Sequence, residues 1–172
     1  MLSIRNKKII IRRVFLAALI LLLSVLQNTD GFFPQPFGIR AFILIPAVVC
    51  ISMYERDIAG MFFGLFAGAL WDVFSQGGDF NALFLLCIGF ACGTLINTVM
   101  RNNIVTASLL SIIAAAIYST GYWLIHYFIA DTDNPFRMLA RYYLPSAGYT
   151  FILAPILFII IRAIEKKFSV EN

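Results

Sequence analysis

This chain of 172 residues has few charged residues, and that shortage excludes most classes of soluble protein. Charged side chains make up 13% of the sequence and apolar ones 61%, whereas a soluble domain has roughly 25% charged residues. A soluble fold of this length has too high a surface-to-volume ratio to bury so much apolar surface. Lipid is the environment that remains for those side chains.

The apolar residues also lack the alternation with polar residues that the strands of a membrane β-barrel require. They occur in long unbroken blocks, and about 20 such residues in a helix cross a hydrocarbon core of about 30 Å. Because lipid offers no partner to free backbone N–H and C=O groups, we expect helices. The sequence predicts an all-α integral membrane protein, a bundle of about six transmembrane helices in one polytopic domain over residues 1–172. The predicted spans are approximately residues 14–29, 39–54, 58–74, 82–100, 104–129 and 142–162.

The basic residues are concentrated on one side of these spans, and no intervening loop is long enough for a soluble domain. With the N-terminus in the cytoplasm, only Arg40, Arg137 and Arg141 lie outside. The other ten of the thirteen are inside, namely Arg5, Lys7, Lys8, Arg12, Arg13, Arg56, Arg101, Arg162, Lys166 and Lys167. This bias predicts that both termini are cytoplasmic. Since topology explains the basic residues, we expect no nucleic-acid partner.

Residues that carry enzyme chemistry are scarce. His126 is the one histidine, and aromatic residues surround it in the sequence. Cys50, Cys87 and Cys92 lie inside apolar blocks at spacings that match no metal motif. The chain also lacks a Gly-x-Ser-x-Gly sequence, a His-Glu-x-x-His sequence and a phosphate-binding loop. We therefore expect no catalytic residue, no metal site and no cofactor, and a protein that is not an enzyme.

The third predicted span carries the most informative pattern, Gly60, Gly64, Gly68 and Asp72 at spacings of four. Glycines so spaced leave a bare row along a helix, which permits close packing in lipid. The row is interpreted as packing within this bundle or, alternatively, as a docking face for another membrane protein. A carboxylate within a span costs about 3 kcal/mol. Asp72 could cap the following turn, pair with Arg40 or a tyrosine, or relay protons, and the structural roles are favoured.

Weaker signals lie in the other spans. Pro46 is expected to kink the second span. Small residues form two further packing rows, Gly89 with Gly93 in the fourth span, and Ala107, Ser111, Ala115 and Ser119 in the fifth. Aromatic residues at the end of the fifth span are typical of a membrane interface, and they are Tyr118, Tyr122, Trp123 and Tyr127.

The glycine row and the residues after it resemble the family of the rod shape-determining protein MreD. That family has a glycine-rich span that ends in aspartate, then a Ser/Gly turn and a small-apolar step into the next span. Here Asp72 is followed by Phe-Ser-Gln-Gly-Gly at 74–78 and Asn-Ala-Leu at 81–83. The residue match covers Gly60 to Leu83, and the layout matches over the whole chain. The Arg-Pro-Asp or Pro-Asp sequence that often begins the family's second span is reduced here to Arg40 alone.

The resemblance implies a non-catalytic scaffold subunit of the rod-shape elongation machinery in the bacterial cytoplasmic membrane. Such proteins act with MreC, and alongside RodA, a penicillin-binding transpeptidase and MreB, to maintain cell shape and guide side-wall peptidoglycan synthesis. Apart from these proteins, membrane lipid is the expected partner. The alternative is the substrate-binding membrane subunit of an energy-coupling-type vitamin transporter. Its pocket would draw on the outer aromatic and polar residues Tyr118, Tyr122, Trp123, His126 and Asp131.

Overall fold

The computed structural model describes residues 4–29, 42–75, 80–125 and 144–168. These residues form six helices: α1 (Ile4–Asn28), α2 (Leu44–Glu55), α3 (Asp57–Phe74), α4 (Asn81–Thr98), α5 (Ile104–Trp123) and α6 (Leu144–Lys167). Four of them, α1, α3, α4 and α5, are long and apolar enough to cross a membrane. The predicted all-helical class is confirmed, and the chain has the helices of an integral membrane protein.

Most helices agree closely with the predicted spans. The bounds of α3 and α4 lie within two residues of the predicted ones. Helix α1 begins well before residue 14, because its basic residues continue the helix beyond the apolar block. Helix α5 ends at Trp123 and is followed by a π-helical turn at 124–125. Residues 126–129 of the predicted fifth span lie outside the described residues.

The second predicted span differs most from the structure. Phe42 and Ile43 precede helix α2, which has 12 residues, a length of about 18 Å that is shorter than a hydrocarbon core of about 30 Å. Every residue from Leu44 to Met53 is buried. The other five helices all contact α2. Helix α2 is therefore the centre of the bundle and faces protein on all sides.

The kink expected at Pro46 has no cause in this structure. Pro46 lies in the first turn of α2, and the first backbone bond of that helix runs from the Ala47 N–H to the Ile43 carbonyl oxygen at 3.3 Å. An amide in the first turn of a helix has no intrahelical partner, so proline removes no hydrogen bond there. The proline instead helps to begin the helix.

Side chains from two other helices bind the backbone at the start of α2. The Leu44 N–H donates to Gln27 Oε1 of α1 at 2.9 Å, and the Phe42 N–H donates to Thr150 Oγ1 of α6 at 3.2 Å. The Thr150 hydroxyl in turn donates to the Ser146 carbonyl oxygen at 2.7 Å. The Gln27 and Thr150 oxygens take the place of the water molecules that would accept from these amides outside a membrane.

An ion-pair network joins α1, α2 and α6 at the opposite end of the bundle, which we call the charged end. The Glu55 side chain is fully buried and accepts from Arg12 Nε at 2.7 Å and Arg13 Nε at 2.9 Å. Arg12 Nη1 also lies 3.1 Å from Glu165 Oε2. A buried carboxylate is tolerated only when cations and donors surround it. The network therefore sets where the three helices meet.

The stability of this network is expected to depend on pH through Glu165. Burial raises the pKa of the Glu165 carboxyl from 4.5 to about 7, with Arg12 lowering it and Glu55 raising it. A raised folded-state pKa means that the folded protein binds more protons than the unfolded chain between these values. Stability should be highest below pH 4.5, as far as this group is concerned, and should fall as the pH rises to about 7.

Equilibrium unfolding in detergent micelles as a function of pH measures this effect. The Glu165→Gln variant, which cannot ionise, should lose the decline in stability between pH 4.5 and 7 and be the more stable protein at pH 8. An unchanged pH profile in that variant would show that Glu165 is not the group responsible.

Candidate functional site

The glycine row of α3 lies against the backbone of α4. A Cβ atom added at Gly64 would overlap the Leu85 carbonyl oxygen, and one added at Gly68 would overlap the backbone of Ala82. A Cβ at Gly60 would meet the Gly89 carbonyl oxygen at 3.0 Å, and it would also overlap a side chain of α2. The two antiparallel helices thus form a hairpin, which we call the α3–α4 hairpin.

Glycines of α4 complete this contact from the other side. A Cβ at Gly89 would overlap the Gly60 carbonyl oxygen, and one at Gly93 would lie 2.7 Å from the Asp57 nitrogen. Gly93 therefore lies against the link between α2 and α3. That link is the single residue Arg56, whose φ of 68° lies in the left-handed region that favours glycine. The close approach of α4 holds this unusual turn in place.

Helix α4 covers the whole glycine row. Where no hydrophobic effect draws helices together, small residues allow dispersion contacts along the backbone. This geometry agrees with the interpretation of the glycine row as packing within the bundle. The alternative docking face for another protein would first require α3 and α4 to separate.

Asp72 binds the first two backbone amides of α4. The Asn81 N–H donates to Asp72 Oδ1 at 3.0 Å, and the Ala82 N–H donates to Oδ2 at 2.9 Å. Phe80, at the N-cap position of α4, has no side chain that could do this. The first amides of a helix lack intrahelical acceptors and carry a partial positive charge. A carboxylate from the preceding helix therefore acts as the cap and joins the two helices at the end of the hairpin where the chain passes from α3 to α4.

This geometry separates the roles that the sequence left open for Asp72. The carboxylate caps the next helix, whereas the Ser75 hydroxyl, in the turn after α3, donates to the Trp71 carbonyl oxygen at 3.1 Å. Within the described residues Asp72 forms no ion pair, and Arg40 and residues 76–79 lie outside them. Both carboxylate oxygens accept a backbone bond, which is the arrangement of a structural cap.

Asn81 joins the hairpin to α5, a role that the sequence did not predict, although Asn81 is one of the residues that carry the family resemblance. Its side chain is 1% exposed, and its Oδ1 accepts a 2.5 Å hydrogen bond from the Tyr118 hydroxyl. Its Nδ2 is buried and has no hydrogen-bond partner among the described residues. The sequence feature that could have predicted this role is a polar amide directly before an apolar block. A polar group at such a position needs a hydrogen-bond partner from another helix.

Aromatic rings surround Tyr118 at this end of the bundle. Trp71 stacks on it with ring centroids 5.1 Å apart, Phe42 and Phe84 approach edge-on at 5.2 and 5.7 Å, and Tyr122 lies at 5.9 Å. We call these five residues the aromatic cluster. Such offset and edge-on pairs add about 0.5–1.5 kcal/mol each beyond the area they bury. The cluster fastens α5 to the hairpin.

The aromatic end of α5 was expected at the membrane interface, and the structure shows that two of its side chains face protein. Tyr118 is 3% exposed and Trp123 is 7% exposed, so both face the interior of the bundle. The hydroxyl of Tyr118 is satisfied by protein, which removes its need for headgroups or water. Tyr127, His126 and Asp131, the remaining members of the predicted groups, lie outside the described residues.

The small residues of α5 are also turned inward. Helix α5 contacts α2 and α6, and all four members of its predicted row are buried, namely Ala107, Ser111, Ala115 and Ser119. Ser111 and Ser119 have buried hydroxyl oxygens without a hydrogen-bond partner among the described residues. Their small volume, which permits helix approach, is thus the property that the structure uses.

The described part of the chain holds no group of three or more His, Cys, Asp or Glu side chains that could bind a metal ion. No family model, no curated protein and no solved structure matches this chain. The contacts described above define one site, made by the α3–α4 hairpin, the Asp72 cap and the aromatic cluster.

The close contact predicts that Gly64→Ala destabilises the protein. Alanine has the higher helix propensity by about 1 kcal/mol, but its methyl group would overlap the Leu85 carbonyl oxygen, and such overpacking costs about 1–3 kcal/mol. Gly148 in α6 has nothing within 4 Å of an added Cβ. Gly148→Ala is therefore the matched control and should be neutral or stabilising. Equilibrium unfolding in mixed micelles measures both, and equal effects of the two variants would refute the contact.

The cap predicts that Asp72→Asn destabilises the protein by about 1–2 kcal/mol, because one acceptor oxygen is replaced by an amide nitrogen that faces backbone N–H groups. Asp57→Asn is the control, since Asp57 is at the other end of α3 and accepts from the Asn97 side chain at an exposed site. Hydrogen exchange should also show faster exchange at the Asn81 and Ala82 amides of the Asp72 variant only. Unchanged protection at those two amides would contradict the cap.

Proposed function

We propose that this protein is a non-catalytic membrane scaffold subunit of the rod-shape elongation machinery, acting with MreC to maintain cell shape and guide side-wall peptidoglycan synthesis. The proposal extends the resemblance between residues Gly60 to Leu83 and the MreD family. In this proposal the protein holds its partner proteins in place within the membrane.

The α3–α4 hairpin is the observation that carries this proposal. The segment of the resemblance contains most of α3 and the start of α4, and its glycines and Asp72 contact the backbone of α4. These residues therefore serve to join two helices. A family signature made of packing and capping residues suits a scaffold, whose task is to keep a fixed shape.

The proposed topology has six membrane segments with both termini in the cytoplasm of a bacterial cell. The bias of ten Lys and Arg residues inside against three outside supports this orientation, and four of the six helices are long and apolar enough to cross a membrane. In this orientation the charged end, with Arg12, Glu55 and Glu165, faces the cytoplasm. The aromatic cluster then lies toward the outer side, where MreC carries its large external domain.

The partner surface in this proposal is the outward face of the hairpin, because α4 covers the glycine row. Large apolar side chains are exposed along that face, among them Phe62, Leu65, Val73, Leu83 and Phe90. Exposure of apolar side chains to lipid is ordinary for a membrane helix, so partner selection depends on shape. The hairpin supplies that shape by fixing the angle and depth of α3 against α4.

Affinity purification tests the proposal. The tagged chain is expressed from its own locus and extracted in mild detergent, and mass spectrometry identifies the proteins that are recovered with it. We expect MreC, together with RodA or a penicillin-binding transpeptidase. Gly64→Ala should reduce the recovered MreC several-fold relative to the chain itself, and Gly148→Ala should leave it unchanged, since only the first variant distorts the hairpin.

Two outcomes would contradict the proposal. Recovery of paired ATPases with a small vitamin-like ligand would identify the transporter subunit that the sequence left as the alternative. Recovery of neither MreC nor another elongation protein, from cells that grow as rods and contain them, would remove the scaffold function.

A further inference from the structure

A groove lies on the outside of the bundle between α1 and α3, near the charged end. Its volume is about 250 Å³. The lining residues are Arg13, Ala17, Ala59, Phe62, Phe63 and Phe66. Phe62 is 59% exposed and Phe66 37% exposed, so the groove opens to the surroundings of the bundle. The two alanines of the lining, Ala17 of α1 and Ala59 of α3, leave room beside the three phenylalanines.

One cation lies at the end of this groove. The Arg13 side chain is 51% exposed, and its Nε donates to Glu55 Oε2 at 2.9 Å. Its two terminal amino groups form no hydrogen bond or ion pair with any described residue. Arginine presents five donors in a planar fork that matches the oxygens of a phosphate. Arg13 thus has donors left over at the mouth of an apolar groove.

Arg13 shares its carboxylate partner with Arg12. Glu55 carries one negative charge and is already paired with Arg12 through two nitrogens. Glu165, the other carboxyl of the network, contacts Arg12. Glu55 uses only the Nε of Arg13, so the terminal amino groups of Arg13 are available to a second anion.

We propose that this groove binds one anionic phospholipid, whose phosphate contacts the terminal amino groups of Arg13 and whose acyl chain lies between Ala17, Ala59 and Phe62. The groove matches such a lipid in two ways. Its cation, Arg13, suits the phosphate, and its alanine and phenylalanine side chains suit an acyl chain. Anionic lipids are abundant in the cytoplasmic leaflet, and basic pockets between transmembrane helices bind their headgroups. A volume of 250 Å³ is below the roughly 300–1,000 Å³ of pockets that enclose drug-sized ligands, and it holds part of one acyl chain, the rest of which extends into the bilayer.

Native mass spectrometry tests the inference. The full chain is reconstituted in nanodiscs with equal amounts of phosphatidylglycerol and phosphatidylcholine of identical acyl chains, and the first lipid retained by the released protein is identified. We expect phosphatidylglycerol to be retained about fivefold over phosphatidylcholine, the preference that one basic residue at a membrane surface provides. Equal retention of the two lipids would overturn the anionic site.

Two matched variants of α3 locate the lipid. Ala59→Leu fills the groove while keeping both members of the Arg13–Glu55 ion pair, and it should abolish the preference. Ala69→Leu adds the same side chain at an exposed position outside the groove, and it should leave the preference unchanged. A preference that survives Ala59→Leu would place the lipid elsewhere on the basic surface. Thermal unfolding of both variants checks their folding, and Ala17→Leu, which fills the groove from α1, replaces Ala59→Leu if that variant is unstable.

Discussion

The start of a helix inside a membrane leaves backbone amides without water, and the arrangement of this bundle depends on where their acceptors come from. Asp72 of α3 serves α4, and Gln27 of α1 and Thr150 of α6 serve the start of α2. Each of these acceptors belongs to a helix other than the one it caps. The residues that cap a helix therefore also join it to a neighbouring helix. Hydrogen bonds from backbone amides to side chains hold these helices together in addition to packing.

The two ends of the bundle are held by different kinds of interaction. At the charged end, Arg12 and Arg13 bring α1 against the buried Glu55 of α2. At the other end, the aromatic cluster and the bond from Tyr118 to Asn81 fasten α5 to the hairpin. The basic residues thus have two effects, since the charges that favour a cytoplasmic N-terminus also fix the position of the first helix.

The central position of α2 explains why a 12-residue helix suffices there. A helix that faced lipid would need about 20 residues to place its polar ends outside the hydrocarbon core. Helix α2 is surrounded by the other five, and protein side chains satisfy its first amides and the Glu55 carboxylate near its end. A short buried helix with polar partners at both ends gives the bundle a core that the outer helices share.

The sequence by itself determined the helical membrane class, the extents of α3 and α4 to within two residues, the small-residue rows and the need of Asp72 for a partner. These follow from apolar length, from spacing along one helix and from the cost of a charge in lipid. Tertiary structure alone decided that α4 covers the glycine row, that Asp72 caps α4, that α2 is central and that Tyr118 points inward. Hydropathy averages over a segment and assigns the same value to a residue that faces lipid and to one that faces protein. The partner of a helix face is set by how the helices are rotated and paired, and no pattern within one helix contains that information.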